Sequence, residues 1–224
     1  CVLIVGGSGG IGSLCAKAFV NAGAKVAITY YKNEQAAVDI AKNIDAGIQI
    51  FQLDNSKPDS VNSVMNEIIK KFGSINTIVN AAGFDIPQKF ISEIDIDLWK
   101  SVMDADVNGF FNLVKSSLPH LRASEGSMVF ISSSGLFKYP PGDVLSVAPK
   151  ATIEHLLKGI AKEEGKNGVR ANSIALGVID TGIFHRLREE NNTFFDDAWH
   201  ESVLNTLALK RFGYPEEVAH TAVF

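Results

Sequence analysis

A chain of 224 residues is about what one α/β domain uses, and 46% hydrophobic with 21% charged residues excludes a disordered chain. Lys and Arg number 21 against 25 Asp and Glu, a formal charge of −4 that leaves no electrostatic footprint for nucleic acid or an anionic membrane. No apolar stretch reaches the roughly 18 residues of a membrane span, no signal peptide is visible, and two cysteines, Cys1 and Cys15, fit reduced thiols in a cytoplasmic protein rather than a disulfide framework or a Cys-based zinc site.

Apolar runs of strand length alternate with longer amphipathic stretches. Val2-Leu3-Ile4-Val5 reads as the first strand, followed by a glycine loop and a helix from Ile11 to Ala22. Lys25 to Tyr30 is the second strand, with a helix from Glu34 to Ile44 behind it. The third, Ile48 to Phe51, leads to a helix that Pro58 opens and that runs to Phe72. Ile75 to Val79 is the fourth strand, and one long helix is expected from Asp97 to Leu121. Ser127 to Ser132 is the fifth, a helix lies around Lys150 to Glu164, and Arg170 to Ala175 is the sixth. The chain opens on Cys1 and stops at Phe224 inside a last helical pattern, so both ends read as cut. Such alternation predicts an α/β fold, a doubly wound parallel sheet covered on both faces, in a single domain over residues 1–224. Residues 181–210 break the rhythm: Phe184, Leu187, Phe194, Phe195, Trp199 and Leu204 come without a strand pattern. They read as a substrate lid or as a helical pair that extends the core, and the lid is the working expectation.

Val5-Gly6-Gly7-Ser8-Gly9-Gly10-Ile11-Gly12 lies between the first strand and the first helix. Glycines there allow a tight turn and a close approach of pyrophosphate to the backbone, and the helix N-terminus offers unpaired N–H groups. Gly7, Gly9 and Gly12 satisfy the dinucleotide spacing, and Gly6, Gly10 and Gly12 a second spacing, G-x-x-x-G-x-G.

With that second spacing the sequence resembles the classical short-chain dehydrogenases/reductases, over essentially its whole length. Beyond the loop the resemblance rests on Asp54, Asn80-Ala81-Ala82-Gly83, Trp99, Ser132-Ser133, Lys150, Arg170 to Ile174, Gly177 to Thr181, and Gly213 to Ala219. It implies a Rossmann-type fold and a dinucleotide held by Gly6, Ser8, Gly10, Ile11, Gly12, Tyr30, Lys32, Asp54, Asn80, Ala81, Gly83, Lys150, Gly177, Ile179 and Thr181. Asp54 would contact adenine, the Asn80 segment would support the sheet beside the cofactor, and Thr181 would hold the nicotinamide carboxamide. It also implies a homodimer or homotetramer, with the long helix and the helix after Lys150 buried between copies. Phe110, Phe111, Leu113, Val114, Ile153, Leu156, Leu157 and Ile160 are the apolar positions expected there.

The end of the second strand reads Thr29-Tyr30-Tyr31-Lys32-Asn33. An NAD-binding fold usually places an acid there for the ribose 2′-OH. Its absence, with Lys32 available to pair with a 2′-phosphate beside the hydroxyl of Ser8, favours NADP(H) over NAD(H).

The family's catalytic constellation is Asn, Ser, Tyr, Lys, with Tyr and Lys as Y-x-x-x-K on one helical face. Counting back from Lys150 the tyrosine place holds Ser146, and thirteen residues earlier stands Ser133. Counting from Trp99 or from Gly109, the asparagine place holds Asp106. Aspartate can still act through its backbone carbonyl, and its carboxylate is available to pair with Lys150. Ser146 is the severe change, because an alkyl hydroxyl stays neutral where a phenol beside lysine can ionise. Tyr139, next to Pro140-Pro141, is either a substitute acid or a plain loop tyrosine. Pro149 sits inside the S-x-x-x-K turn and is expected to disturb a helix unless one starts there. The reading that follows is an NADP(H)-dependent oxidoreductase of a small carbonyl or alcohol, apolar in character, with altered proton delivery. The alternatives are a silent cofactor-binding subunit and a lyase or isomerase using the same pocket.

Overall fold

The computed structural model describes residues 1–190 and 196–224. Among these the strands β1 (Val2–Val5), β2 (Val26–Tyr30), β3 (Gln49–Gln52), β4 (Thr77–Asn80), β5 (Ser127–Ser133) and β6 (Arg170–Leu176) form one parallel sheet in the order β3-β2-β1-β4-β5-β6. Every residue of β1 and β2 is buried. Their side chains alternate between two cores, as the period of two in a strand requires. Leu3 and Val5 face a core shared with Val61, Phe110, Leu113, Met128 and Ile153, whereas Val2 and Ile4 face Phe19, Ile28, Ala37 and Val218. The first core is closed by helices α3 (Pro58–Phe72), α5 (Gly109–Ser124) and α6 (Val144–Glu164), the second by α1 (Gly10–Asn21), α2 (Glu34–Ile44) and α9 (Pro215–Val223).

The chain runs outward from β1 to β3 and then crosses to β4, which pairs with β1 from Val2↔Thr77 to Val5↔Asn80. Between the carboxyl ends of β1 and β4 the crossovers leave in opposite directions, the place where open α/β sheets put their ligand crevice. No helix among the described residues is long and apolar enough to cross a membrane.

Three expectations are corrected. The long helix is two, α4 (Ile96–Met103) and α5, joined by a π-helical turn over Asp104–Asn108. A wide turn of this kind re-aims side chains without breaking the helix. The helix carrying Lys150 begins at Val144, and Pro149 lies within it. The Asp143 carbonyl accepts from Ser146 and Val147 at 3.0 and 2.9 Å, so the first turn is closed before the proline, whose lost bond is the single one to Leu145. Finally, Phe110, Leu113, Val114, Ile153, Leu157 and Ile160 are buried within the chain itself. Of the positions expected between copies, Phe111 is exposed and Leu156 half-buried.

Residues 181–210 contain α7 (Ile183–Glu190) and α8 (Asp197–Thr206). Phe184 packs edge-on against Phe212 at 5.1 Å, and Trp199 lies 6.0 Å from Phe184. Phe194 and Phe195, expected in the same cluster, fall outside the described residues.

Candidate active site

The glycine loop is shaped for close approach. Gly6 adopts a φ of +77°, and the Gly9 N–H donates to the Gly6 carbonyl at 3.0 Å. A Cβ on Gly6 would meet the backbone of Ala82 at 2.8 Å, one on Gly10 would meet Thr181 Oγ1 at 2.6 Å, and one on Gly12 would overlap the Gly6 carbonyl. Helix α1 starts behind this loop with no side-chain cap and no acid in its first turn, so its N-terminal N–H groups and positive dipole end remain free for an anion. The Thr29 hydroxyl accepts from Gly6 N–H at 3.1 Å and ties the loop to β2. These features fit a dinucleotide pyrophosphate.

Around the loop, Asn80 is buried at the end of β4, with Oδ1 accepting from the Ala82 N–H at 3.3 Å, and the Ala81 N–H donates to the Val5 carbonyl at 2.9 Å. Ser8 and Ile11 are half-buried, and Gly83 opens onto free space. After β6, Ile179 bridges to Gly213, which delivers Thr181 against Gly10, while Gly177 lies near Ser134. Asp54 is engaged by its own turn. It accepts from the Ser56 hydroxyl and N–H at 2.6 and 3.1 Å and pairs with Lys57 at 3.3 Å, and the Ser56 hydroxyl is the main cause that holds its carboxyl below the usual range. At the end of β2, Tyr30 is buried and Lys32 is exposed, its Nζ 5.3 Å from the Tyr31 ring centroid. Burial, with the Glu34 carboxylate as a second cause, pushes the Tyr30 phenol up, so an acid the sequence reading did not weigh stands at this end of the crevice.

The catalytic candidates come together on the other side. Gly135 is the joint: the site of its absent Cβ lies 3.1 Å from Ser133 Oγ and 2.8 Å from a Val147 methyl, so the end of β5 and the first turn of α6 meet. Ser133 Oγ accepts from the Gly135 N–H at 3.0 Å, which leaves its own O–H to point elsewhere. Lys150 Nζ donates to Ser146 Oγ at 2.9 Å across one helical turn. Burial draws Lys150 below the usual lysine range, opposed by the charges of Asp143 and Asp106. Asp106 does not bond Lys150. Its Oδ1 accepts from the Phe84 N–H at 2.8 Å, because the π-helical turn aims the side chain at the loop after β4, and burial raises its carboxyl.

Asp143 and Gln88 are what the sequence reading missed. Asp143 is the N-cap residue of α6 but caps nothing; Oδ1 accepts from Gln88 Nε2 at 3.2 Å, and burial raises the carboxyl. An acid three residues before Ser146 would have been the available signal, masked by a helix start placed at Lys150. Tyr139 is half-exposed and makes no hydrogen bond among the described residues, so nothing ties it to Ser133 or Lys150. Arg186 on α7 pairs with Asp85 and donates to the Ile86 carbonyl at 3.4 Å, linking α7 to the loop after β4.

Comparison with known proteins places these features in context. The family model described as enoyl-(acyl carrier protein) reductase matches residues 6–224. A 3-oxoacyl-[acyl-carrier-protein] reductase of Chlamydia muridarum is 31% identical, over 99% of this chain and 88% of the relative. An L-fucose dehydrogenase of Bos taurus is 32% identical, over 100% and 81%. Among solved structures, a short chain dehydrogenase from Bacillus anthracis aligns with a TM-score of 0.87 at 26% identity, covering 99% of this chain and 87% of that one. An NAD+-bound xylitol dehydrogenase shares the fold, with a TM-score of 0.92 at 19% identity over 100% and 90% of the two chains.

Proposed function

The chain belongs to the short-chain dehydrogenase/reductase family of oxidoreductases, and from that premise we propose that it is an NADP(H)-dependent carbonyl reductase whose proton reaches the substrate through Ser146 from Lys150. The observation that carries this reading is the 2.9 Å bond from Lys150 Nζ to Ser146 Oγ, on the helix whose first turn meets the carboxyl end of β5, the same edge of the sheet from which the glycine loop leaves β1. Bound NADPH supplies the hydride. Gly6, Gly10 and Gly12 with the start of α1 would hold its pyrophosphate, Ser8 and Lys32 its 2′-phosphate, Tyr30, Asp54, Asn80, Ala81 and Gly83 its adenosine side, and Gly177, Ile179, Thr181 and Lys150 its nicotinamide riboside.

The protein's own part is orientation and proton delivery. Ser133 donates its free O–H to the carbonyl oxygen and fixes it. As negative charge develops there, Ser146 gives up its hydroxyl proton and takes one from Lys150, whose N–H already points at Oγ. The ammonium becomes an amine and is restored from solvent, with Asp106 and Asp143 favouring the charged form. Burial makes Lys150 a better acid than a free lysine, which offsets part of the loss of a phenol. Asp106 holds the loop after β4 through Phe84 N–H rather than touching the substrate.

Helices α7 and α8 serve as the lid, latched by Arg186. The exposed Phe111 and half-buried Leu156 leave an apolar strip on α5 and α6 for a second copy, so a cytoplasmic homodimer or homotetramer is part of the same reading. The test is NADPH oxidation by the purified chain over a panel of ketones and aldehydes, beside calorimetric titration with NADPH. Turnover supports the reductase; NADPH binding without turnover of any carbonyl favours the silent subunit.

A further inference from the structure

The wall beside Lys150 carries more hydrogen-bond acceptors than a plain ketone can use. Asp143 heads α6, where its carboxylate is placed to cap the helix, yet it makes no cap bond and turns toward Gln88 instead. Among the described residues only Oδ1 is used, by Gln88 Nε2, and Oδ2 has no partner. Asp106 repeats the pattern, with Oδ1 on Phe84 N–H and Oδ2 unpartnered among the described residues. Among the described residues Lys150 gives its one hydrogen bond to Ser146 and meets the two carboxylates through their charge alone, so neither is closed off in a contact ion pair. Gln88 Oε1, next to Asp143, is buried and has no hydrogen-bond partner among the described residues.

The electrostatics narrow what such a wall can receive. An anionic substrate would meet two carboxylates against one ammonium, and a cationic one would compete with Lys150 for the carboxylates that keep it charged. A neutral molecule rich in hydroxyl donors meets neither penalty and satisfies the open oxygens, whereas an apolar ketone would cover them and leave them unpaired. We propose that Asp143 is a specificity-determining residue that accepts a substrate hydroxyl, and that the substrate is a polyhydroxylated carbonyl compound, of the ketose or aldose class, rather than an apolar one. This rests on the reductase reading for the place of the carbonyl, with Asp143 reading the carbon skeleton beside it.

The test is calorimetric titration of the purified chain, alone and with NADP+, which cannot reduce a ketone, using two four-carbon ketones, L-erythrulose and 2-butanone. The expected result is that erythrulose binds at least about tenfold more tightly than 2-butanone, and that Asp143→Ala removes that margin while 2-butanone affinity changes by less than about twofold. Asp143→Asn keeps the shape and one acceptor, and so retains part of the margin; it also serves if the alanine variant does not fold. Equal binding of the two ketones to wild type overturns the proposal, as does a margin unchanged in both variants. Because binding is read without turnover, selective binding with no reduction upholds this assignment and refutes the reductase. Reduction of 2-butanone as fast as erythrulose does the reverse.

Discussion

Lys150 Nζ donates to Ser146 Oγ one turn back along α6, so the lysine that would sit beside a phenol has a serine hydroxyl in its place. Pro149 does not displace this pair, because α6 is already under way at Val144. The single change Ser146→Tyr therefore puts a phenol into an intact register. It should raise turnover of a reducible carbonyl about tenfold, or about 1.4 kcal/mol of barrier. Ser146→Ala should lower it about 10²-fold, the scale for losing a positioned proton donor. NADPH affinity, read by fluorescence titration, should stay within about twofold in both. Loss of activity on adding the tyrosine would mean that residue 146 does not face the reacting carbonyl.

The pH profile of reduction follows from the same lysine. The groups facing Lys150 are the Ser146 hydroxyl and the carboxylates of Asp106 and Asp143. In the proposed relay reduction needs the ammonium, so kcat should fall as pH rises through the Lys150 pKa, which burial places below the usual lysine range. Asp143 raises that pKa, so Asp143→Asn should move the midpoint to lower pH. Stopped-flow single turnovers from neutral to alkaline pH measure this; a midpoint that moves upward in Asp143→Asn would contradict the relay.

How far the sequence could be read depended on whether the signal was local. The strands were legible because β1 and β2 are buried on both faces and so read as unbroken apolar runs. The glycine loop was legible because its spacing answers to backbone contacts at Gly6, Gly10 and Gly12. The π-helical turn at Asp104–Asn108 was not, since one extra residue in a helical turn leaves the apolar period on either side nearly unchanged. The partners of Asp106 and Asp143 were hidden for a different reason. Phe84 and Gln88 reach them from a loop 22 and 55 residues away in sequence, a pairing no local pattern records.

The closeness of Gly12 to the Gly6 carbonyl makes a second kind of prediction. Gly12→Ala places a methyl where that carbonyl oxygen already sits, with backbone on both sides and nothing flexible to yield. Overpacking of this type costs about 1–3 kcal/mol. Thermal unfolding should show a lowered Tm, and NADPH affinity should drop further than the Tm shift explains, because the loop must move. Gly23→Ala, with open space around its Cβ but a φ of +82°, is the control that destabilises without touching the cofactor.

Acid stability should depend on the pair that joins the ends of α5 and α6. Arg122 donates through Nε and one NH2 group to the two oxygens of Glu164, both at 2.6 Å, and Asn167 adds a third donor at 2.8 Å. These bonds, the Arg122 one first, push Glu164 down to about 2. A carboxyl whose folded pKa is depressed contributes stability above its unfolded pKa and loses it as pH falls toward the folded one. The contribution is thus full at neutral pH and disappears between about 4.5 and about 2. Melting curves of wild type and Arg122→Ala should differ at pH 7 and converge near pH 2; a constant gap would show that Arg122 acts through packing of its stem alone.

On the proposed reading, Lys32 is the residue that selects the dinucleotide. It is exposed at the end of β2 with its ammonium near the Tyr31 ring, in the place where an NAD-binding fold usually puts an acid. Asn33, beside it, caps α2 by accepting from Ala36 N–H at 3.0 Å, and so is committed to the helix. Glu34 lies against Tyr30 and would repel a 2′-phosphate, so the proposed preference for NADPH requires Lys32 to outweigh that acid. Wild type should bind NADPH more tightly than NADH. Lys32→Ala should weaken NADPH about tenfold and leave NADH within about twofold, the scale of one charge-assisted contact to phosphate. Glu34→Gln should act the other way and strengthen NADPH alone. Because the Lys32 contact is exposed, the wild-type margin should shrink between about 0.05 and 0.5 M salt, and the margin of Lys32→Ala should change less. Calorimetric titration of both dinucleotides with the three proteins settles the matter: NADH binding tenfold more tightly than NADPH to wild type would refute the assignment of Lys32.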